Sequence, residues 1–367
     1  GYLIDVYREK QEPERNFFKL ALFISFFPQI VQGPIGRFGT LAEQLFRPNE
    51  FSYTRIKFGV QLMLWGAFKK MVIADRAAIL VDNAFGFPET FGGTYVAVAA
   101  LIYAIQIYGD FSGGIDISRG VAQILGIELA QNFKRPYFAT TINDYWRRWH
   151  ITLGAWMKEY VFYPLALSKS FTGASKKIKA TKFGSTKFGT HVAKVLPTSF
   201  ASLIVFFLVG VWHGANWKYV AFGVWNGGII MLSTLLEPIF EMWTQKLRIN
   251  AKSLGFRLFQ MLRTFVVVAI GYVFDVAANF KDAMYTFGKM ITDQNLSRGW
   301  TEINNLGINF VDYLSLAICT AFLLCVSLVQ ERNSDSSLRV ILDEKPFIIR
   351  YMLLLVGILY ILVFGIY

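Results

Sequence analysis

Eight stretches of this chain are apolar over nearly the length a helix needs to cross a bilayer: residues 17–35, 60–80, 94–108, 199–212, 219–236, 259–276, 313–329 and 347–367. A span takes about 20 residues at 1.5 Å of rise each. Inside hydrocarbon every backbone N–H and C=O must find its partner within the protein, which leaves only helices and closed barrels. The short alternating apolar–polar strands of a membrane barrel are absent. The sequence therefore predicts an all-α fold: a polytopic transmembrane helical bundle with broken or re-entrant helices. Composition points the same way, with 54% hydrophobic, 17% aromatic and only 17% charged residues, against about 25% charged in a soluble domain.

The formal net charge of +12 does not call for nucleic acid here. Lys and Arg of membrane proteins collect in cytoplasmic loops, where they also meet anionic lipid, so the bilayer itself is the expected partner. Cys319 and Cys325 lie within one apolar stretch and propose neither a disulfide framework nor a metal site. The chain opens at Gly1-Tyr2-Leu3 and closes at Gly365-Ile366-Tyr367. It reads as one membrane domain over 1–367, a fragment that lacks N-terminal helices and a short C-terminal end.

Along the chain, Pro28 and Gly33-Pro34 interrupt the first apolar stretch and favour a short or re-entrant segment. Lys69-Lys70 and Asp75-Arg76 sit inside the second; they can snorkel or pair, and solvation at a helix end is the favoured reading. The span at 94–108 runs into Gly109-Asp110-Phe111-Ser112-Gly113-Gly114-Ile115-Asp116. Such glycines and acids point to a broken helix, with Asp110 and Ser112 lining a cavity, or to an ordinary loop.

Residues 141–158 read as one interfacial helix. Thr141 and Asp144 have capping-box spacing, Asp144 and Arg148 can pair at i,i+4, and Trp146, His150, Leu153, Gly154 and Met157 share a face. The stretch 168–196 has seven lysines and no acid, the pattern of a flexible basic cytoplasmic loop. Residues 237–257 are basic too, so both flanks of the 197–236 hairpin are expected in the cytoplasm. A helix from Pro197 reaches His213 after roughly 24 Å, deep in the membrane or toward its outer side.

That position matters, because lipid offers an imidazole no water and ionisable groups at membrane depth are functional candidates. His150 and His213 lie in the two most unusual stretches of the chain; His191 lies in the basic region. Histidine is the natural general base near neutral pH. No HxxxH or CxxC spacing speaks for a metal, and neither a phosphate-binding loop nor a GxSxG elbow occurs.

The residues resemble a family. Asp144-Tyr145-Trp146-Arg147-Arg148-Trp149-His150-Ile151-Thr152-Leu153, followed by Trp156 and Tyr163-Pro164-Leu165, is similar to a signature of membrane-bound O-acyltransferases. Gly210-Val211-Trp212-His213-Gly214-Ala215-Asn216-Trp217 resembles the signature that carries the family's essential histidine. Phe26-Phe27-Pro28-Gln29, Phe68-Lys69-Lys70 and Tyr108-Gly109-Asp110-Phe111-Ser112-Gly113 resemble its bacterial branch, which contains the membrane subunit of alginate O-acetylation and the D-alanyl transfer protein of teichoic acids. The resemblance covers nearly the whole chain.

The resemblance implies a helical bundle around a central tunnel, in a bacterial cytoplasmic membrane. It implies His213 as catalytic base, with His150 beside it at a position that is Asn in lipid-modifying relatives. Substrate contacts would come from Asp110, Ser112, Trp146, Arg147, Arg148, Trp149, Trp212 and Asn216. It implies no bound cofactor and a thioester donor, acetyl-CoA or an acyl carrier. An extracytoplasmic SGNH-type acetyltransferase partner and a cell-surface polysaccharide acceptor follow from the same likeness. D-alanyl transfer to teichoic acid is the alternative within the family. A proton-coupled transporter or flippase is the alternative outside it. One departure stands out: Phe274-Asp275 occupies a place where relatives often carry an aromatic–Arg pair, and no role is assigned to Asp275 from the sequence.

Overall fold

The computed structural model describes residues 1–304, 308–333 and 338–365. Residues 305–307, 334–337 and 366–367 fall outside them, the last two at the end of the final apolar stretch. The described residues are helical without strands. Five helices are long and apolar enough to cross a membrane, Gly93–Ile124, Lys187–His213, Leu254–Val276, Phe310–Arg332 and Phe347–Phe364, and a sixth span results if Trp217–Leu235 and Glu237–Lys246, bent by 58°, count as one. This is a multi-pass membrane protein. Two compact units divide the chain: Gly1–Ala84, Leu101–Arg135 and Leu296–Tyr367 form the first, and Phe85–Ala100 with Pro136–Asn295 the second.

In the first unit the opening apolar stretch is broken, as its prolines require. Helices Phe17–Ser25 and Phe27–Gln32 meet at Phe26, and Phe23 and Phe26 are buried against Leu41, Ala122 and Leu129. Helix Tyr53–Ala67 starts on Ser52, whose hydroxyl accepts from the Arg55 N–H. It passes through a π-helical segment, Phe68–Ala74, into Asp75–Gly86. Val72 and Ile73 in that segment pack with Cys319, Leu323 and Ile361.

The glycines at 109–116 break nothing. Helix Gly93–Ile124 runs straight through them, which corrects the expectation of a broken helix or loop. They serve packing instead. A Cβ on Gly113 would lie 2.8 Å from the Gly66 carbonyl oxygen, and one on Gly120 2.6 Å from that of Gly59. Small residues seven apart on both helices let the backbones touch, the usual device where lipid gives no hydrophobic drive to helix association. The charges expected to be solvated are paired instead. Lys69 is 3% exposed and donates to the Ser112 hydroxyl and to Asp116, each at 2.8 Å. Lys70 bridges Asp75 and Asp110, both at 2.6 Å, and buried Arg76 meets Asp312 at 3.1 Å.

In the second unit Lys187–His213 and Trp217–Leu235 form the expected hairpin. Gly210 and Gly223 allow its legs to close: added Cβ atoms would lie 2.2 Å from the Tyr219 oxygen and 2.3 Å from the Phe206 oxygen. The 168–196 stretch is not a loop. It holds helix Lys169–Lys179 and the first turns of Lys187–His213, with Pro197 inside the longer helix. Ser168 and Thr186 cap the two starts by accepting from the N–H groups of Phe171 and Gly189, and lysine is itself a good helix former.

Candidate functional site

The 141–158 segment is two helices rather than one. Thr141 caps Ile142–Arg148 by accepting from the Asp144 N–H at 3.0 Å, and Arg148 Nε reaches both oxygens of Asp144 at 3.1 Å. The helix then ends. His150 takes up the left-handed region, φ 46° and ψ 53°, and the chain starts again as Ile151–Met157. The face that a single helix would give Trp146, His150 and Met157 is therefore lost, and His150 becomes a corner. Its carbonyl accepts from the Gly154 N–H at 3.0 Å. A non-glycine residue seldom adopts this conformation, although His and Asn do so several-fold more than most.

Around the corner lies a continuous set of rings. Trp149, buried, stacks on Tyr145 at 5.7 Å and tilts against Tyr272 at 5.8 Å. The hydroxyls of Tyr145 and Tyr272 hydrogen-bond at 2.6 Å. Tyr272 stacks on Phe222 at 6.2 Å, and Phe222 meets the His213 ring edge-on at 5.6 Å. Trp146 closes the set against Phe206 at 4.8 Å and Phe222 at 6.4 Å. The two histidine stretches, more than sixty residues apart in sequence, thus share one aromatic wall in the second unit.

His213 is the last residue of its helix. Its ring lies parallel to Tyr219 at 5.8 Å. Gly214 makes the turn possible: at φ 157° a Cβ would sit 2.8 Å from the Tyr219 ring. Asn216 then caps the returning helix, its Oδ1 accepting from the Lys218 N–H at 3.1 Å. Lys218 Nζ donates to the carbonyls of Asp275 at 2.9 Å and Ala277 at 2.7 Å, tying the hairpin turn to the end of Leu254–Val276. This brings Asp275 within electrostatic reach of His213. His150 and His213 also feel one another: burial first, and the charge of His213 second, push His150 down to about 4, while a backbone hydrogen bond opposes the shift. His150 is accordingly neutral across the physiological range.

The other residues singled out from sequence fall into distinct settings. Trp146 Nε1 is a buried donor with no hydrogen-bond partner among the described residues. Arg147, Trp212 and His213 are exposed, and Asn216 is half-buried with its side-chain oxygen used as a cap. Asp110 and Ser112 belong to the first unit. Ser112 lines a cavity there, whereas Asp110 is absent from its wall and pairs with Lys70. Among the described residues no group of three His, Cys, Asp or Glu side chains stands ready to hold a metal ion. Sequence reasoning gave no role to Asp275, Lys218 and Tyr272; the departure at Phe274-Asp275 was the one signal that marked that place.

The sequence model of the membrane-bound O-acyltransferase family matches residues 9–183, which include the His150 corner. A probable alginate O-acetylase of Pseudomonas syringae is 31% identical over 349 residues, 92% of this chain and 58% of that protein. The chain belongs to the membrane-bound O-acyltransferase family. A peptidoglycan O-acetyltransferase of Helicobacter pylori is 29% identical over 90% of the chain and 63% of its own length. A teichoic acid D-alanyltransferase of Bacillus subtilis is 24% identical over 69% and 60%. The chain thus spans about three-fifths of these relatives. Both histidine stretches, 144–153 and 210–217, lie within the second unit.

Proposed function

We propose that the chain is the core of an O-acyltransferase of a bacterial cytoplasmic membrane, moving an acetyl group from a cytoplasmic thioester such as acetyl-CoA to a polysaccharide hydroxyl or to an extracytoplasmic relay partner. The observation that carries this reading is that Trp149, next to His150, and His213 line one aromatic wall, with His150 within electrostatic reach of His213. His213 takes the proton from the acceptor hydroxyl as its oxygen attacks the thioester carbonyl. The C–O bond forms and the C–S bond breaks, and the leaving thiolate recovers the proton from the His213 imidazolium. His150, neutral, orients the hydroxyl or donates to the developing oxyanion. The unpartnered indole N–H of Trp146 supports it as a second donor to the acyl carbonyl. Asp275 supports the charge that His213 acquires. Lysine-rich 168–196 faces the cytoplasm in this reading.

Alginate and peptidoglycan O-acetylation by relatives at about 30% identity favours acetyl over D-alanyl transfer, where the likeness falls to 24%. The test is radiolabelled acyl transfer in membranes that contain His213→Ala at matched abundance. Loss of a general base costs ~10²–10⁴-fold in rate, so transfer should nearly vanish while donor binding persists. Near-normal turnover of His213→Ala would remove the mechanism.

A further inference from the structure

The first unit contains a cavity of about 870 Å³ whose wall includes neither His150 nor His213. Two sides of it differ in chemistry. One side carries Lys69, Arg119, Arg135 and Arg339, with Asp116 as the acid among the described lining residues. Asp116 is shared between Lys69 at 2.8 Å and Arg119 at 3.3 Å, and Glu331 pairs with Arg135 from behind the wall. Glu128 lies within electrostatic reach of Arg339, so among the described residues four cations face three carboxylates and this side keeps a positive excess. Arg339 is held by neutral oxygens, its Nη1 donating to the Phe58 carbonyl and to Gln123 Oε1, both at 2.8 Å. Gln61 also lines the cavity, and its buried side-chain oxygen has no hydrogen-bond partner among the described residues, so the cavity can both bind an anion and accept from a hydroxyl.

The other side is apolar and open to the outside of the unit. Phe322, Leu353 and Val356 line the cavity, yet are 51%, 55% and 55% exposed. They belong to the membrane-span candidates Phe310–Arg332 and Phe347–Phe364, so with those helices in a bilayer the opening would meet hydrocarbon rather than water. Gly357 lies on the same wall, and a Cβ there would meet nothing within 4 Å. A glycine inside a helix is destabilising relative to alanine. No close backbone approach accounts for this one; its effect is to leave room in the cavity.

We propose that this cavity is a binding site for an anionic glycerophospholipid. The phosphate sits among the arginines, a headgroup hydroxyl donates to Gln61, and one acyl chain leaves along the Phe322–Gly357 side. The volume lies within the ordinary range of ligand pockets, ~300–1,000 Å³, enough for a headgroup with part of a chain while the rest stays in the bilayer. A water-soluble thioester donor would have no use for an entrance on the hydrocarbon side. The inference is independent of the histidine site.

The test uses the full chain in nanodiscs of equal parts phosphatidylglycerol and phosphatidylcholine, followed by release into mild detergent and native mass spectrometry. Wild type should retain one phosphatidylglycerol in preference to phosphatidylcholine. Each Lys or Arg near an anionic lipid contributes a factor of about five, so Arg339→Gln should lower occupancy roughly fivefold. Gly357→Phe fills the open wall without touching a charge, and should remove the retained lipid while the melting temperature holds. Equal retention of the two lipids would overturn the proposal. So would wild-type retention by a folded Gly357→Phe protein. Displacement of phosphatidylglycerol by acetyl-CoA would also overturn it, by giving the cavity to the thioester.

Discussion

Substitution of His150 separates its backbone duty from its chemistry. The residue sits at φ 46° and ψ 53°, where a Cβ crowds the following carbonyl and costs ~1–2 kcal/mol for an ordinary residue. Asparagine tolerates this region, glycine enters it freely, and alanine has no compensation. His150→Gly should therefore be more stable than His150→Ala by about 1 kcal/mol, the reverse of the order expected in a helix interior, where glycine is worse by about the same amount. A unit of this size converts that difference into ~2–4 °C of melting temperature, measurable by fluorescence in detergent. His150→Asn should melt close to wild type. Activity should follow a different order: in radiolabelled acyl transfer Asn keeps part of the wild-type rate, and Gly and Ala lose nearly all of it. An alanine variant as stable as the glycine one would refute the backbone argument. Asn as inactive as Gly, at wild-type stability, would refute the orienting role and require His150 itself to take a proton.

Three further outcomes follow from the structure. An unfolded histidine takes its proton near pH 6.5, whereas folded His150 stays neutral down to about 4; the unfolded state binds more protons in between, so stability is full above pH 6.5 and falls as pH drops toward 4, by on the order of 3 kcal/mol. Melting temperatures from pH 7.5 to 4.5 should show that slope in wild type and a shallower one in His150→Asn; parallel slopes would count against it. Gly113→Ala should lower stability by ~1–3 kcal/mol through the Gly66 carbonyl despite the better helix propensity of alanine, and a raised melting temperature would disprove the glycine contact. Trp146→Phe deletes a buried donor without a partner, so stability should hold or improve while transfer falls ~10²-fold; intact transfer would take Trp146 out of the site.

What could be read from the sequence divides along a physical line. The hairpin ending at His213 was legible because long apolar runs have few other solutions in lipid. The two histidine stretches stand out in the sequence because Trp, Arg and Gly crowd around an imidazole in each. The corner at His150 was not, since a left-handed non-glycine leaves no mark on periodicity. The packing role of the glycines at 109–116 is not legible, because the contacts of Gly113 and Gly120, with Gly66 and Gly59, lie on another helix. The helices within 168–196 are hidden too, because dense lysine suggests a loop while the starts are set by single caps at Ser168 and Thr186. Tyr272, Lys218 and Asp275 enter the site only through tertiary packing that no local pattern announces.

The π-helical segment Phe68–Ala74 has a consequence for register. A widened turn behaves as a single residue inserted into an α-helix, so everything beyond it is rotated by about 100° from where an uninterrupted helix would put it. Lys69 and Lys70, neighbours in sequence, face different carboxylates, Asp116 and Asp110, and Arg76 arrives opposite Asp312. Removing one residue between 68 and 74 would restore a regular helix and swing Arg76 off its partner, stranding a buried guanidinium. The segment therefore acts as a phase shifter, and length in this stretch is constrained more tightly than the identity of most side chains in it.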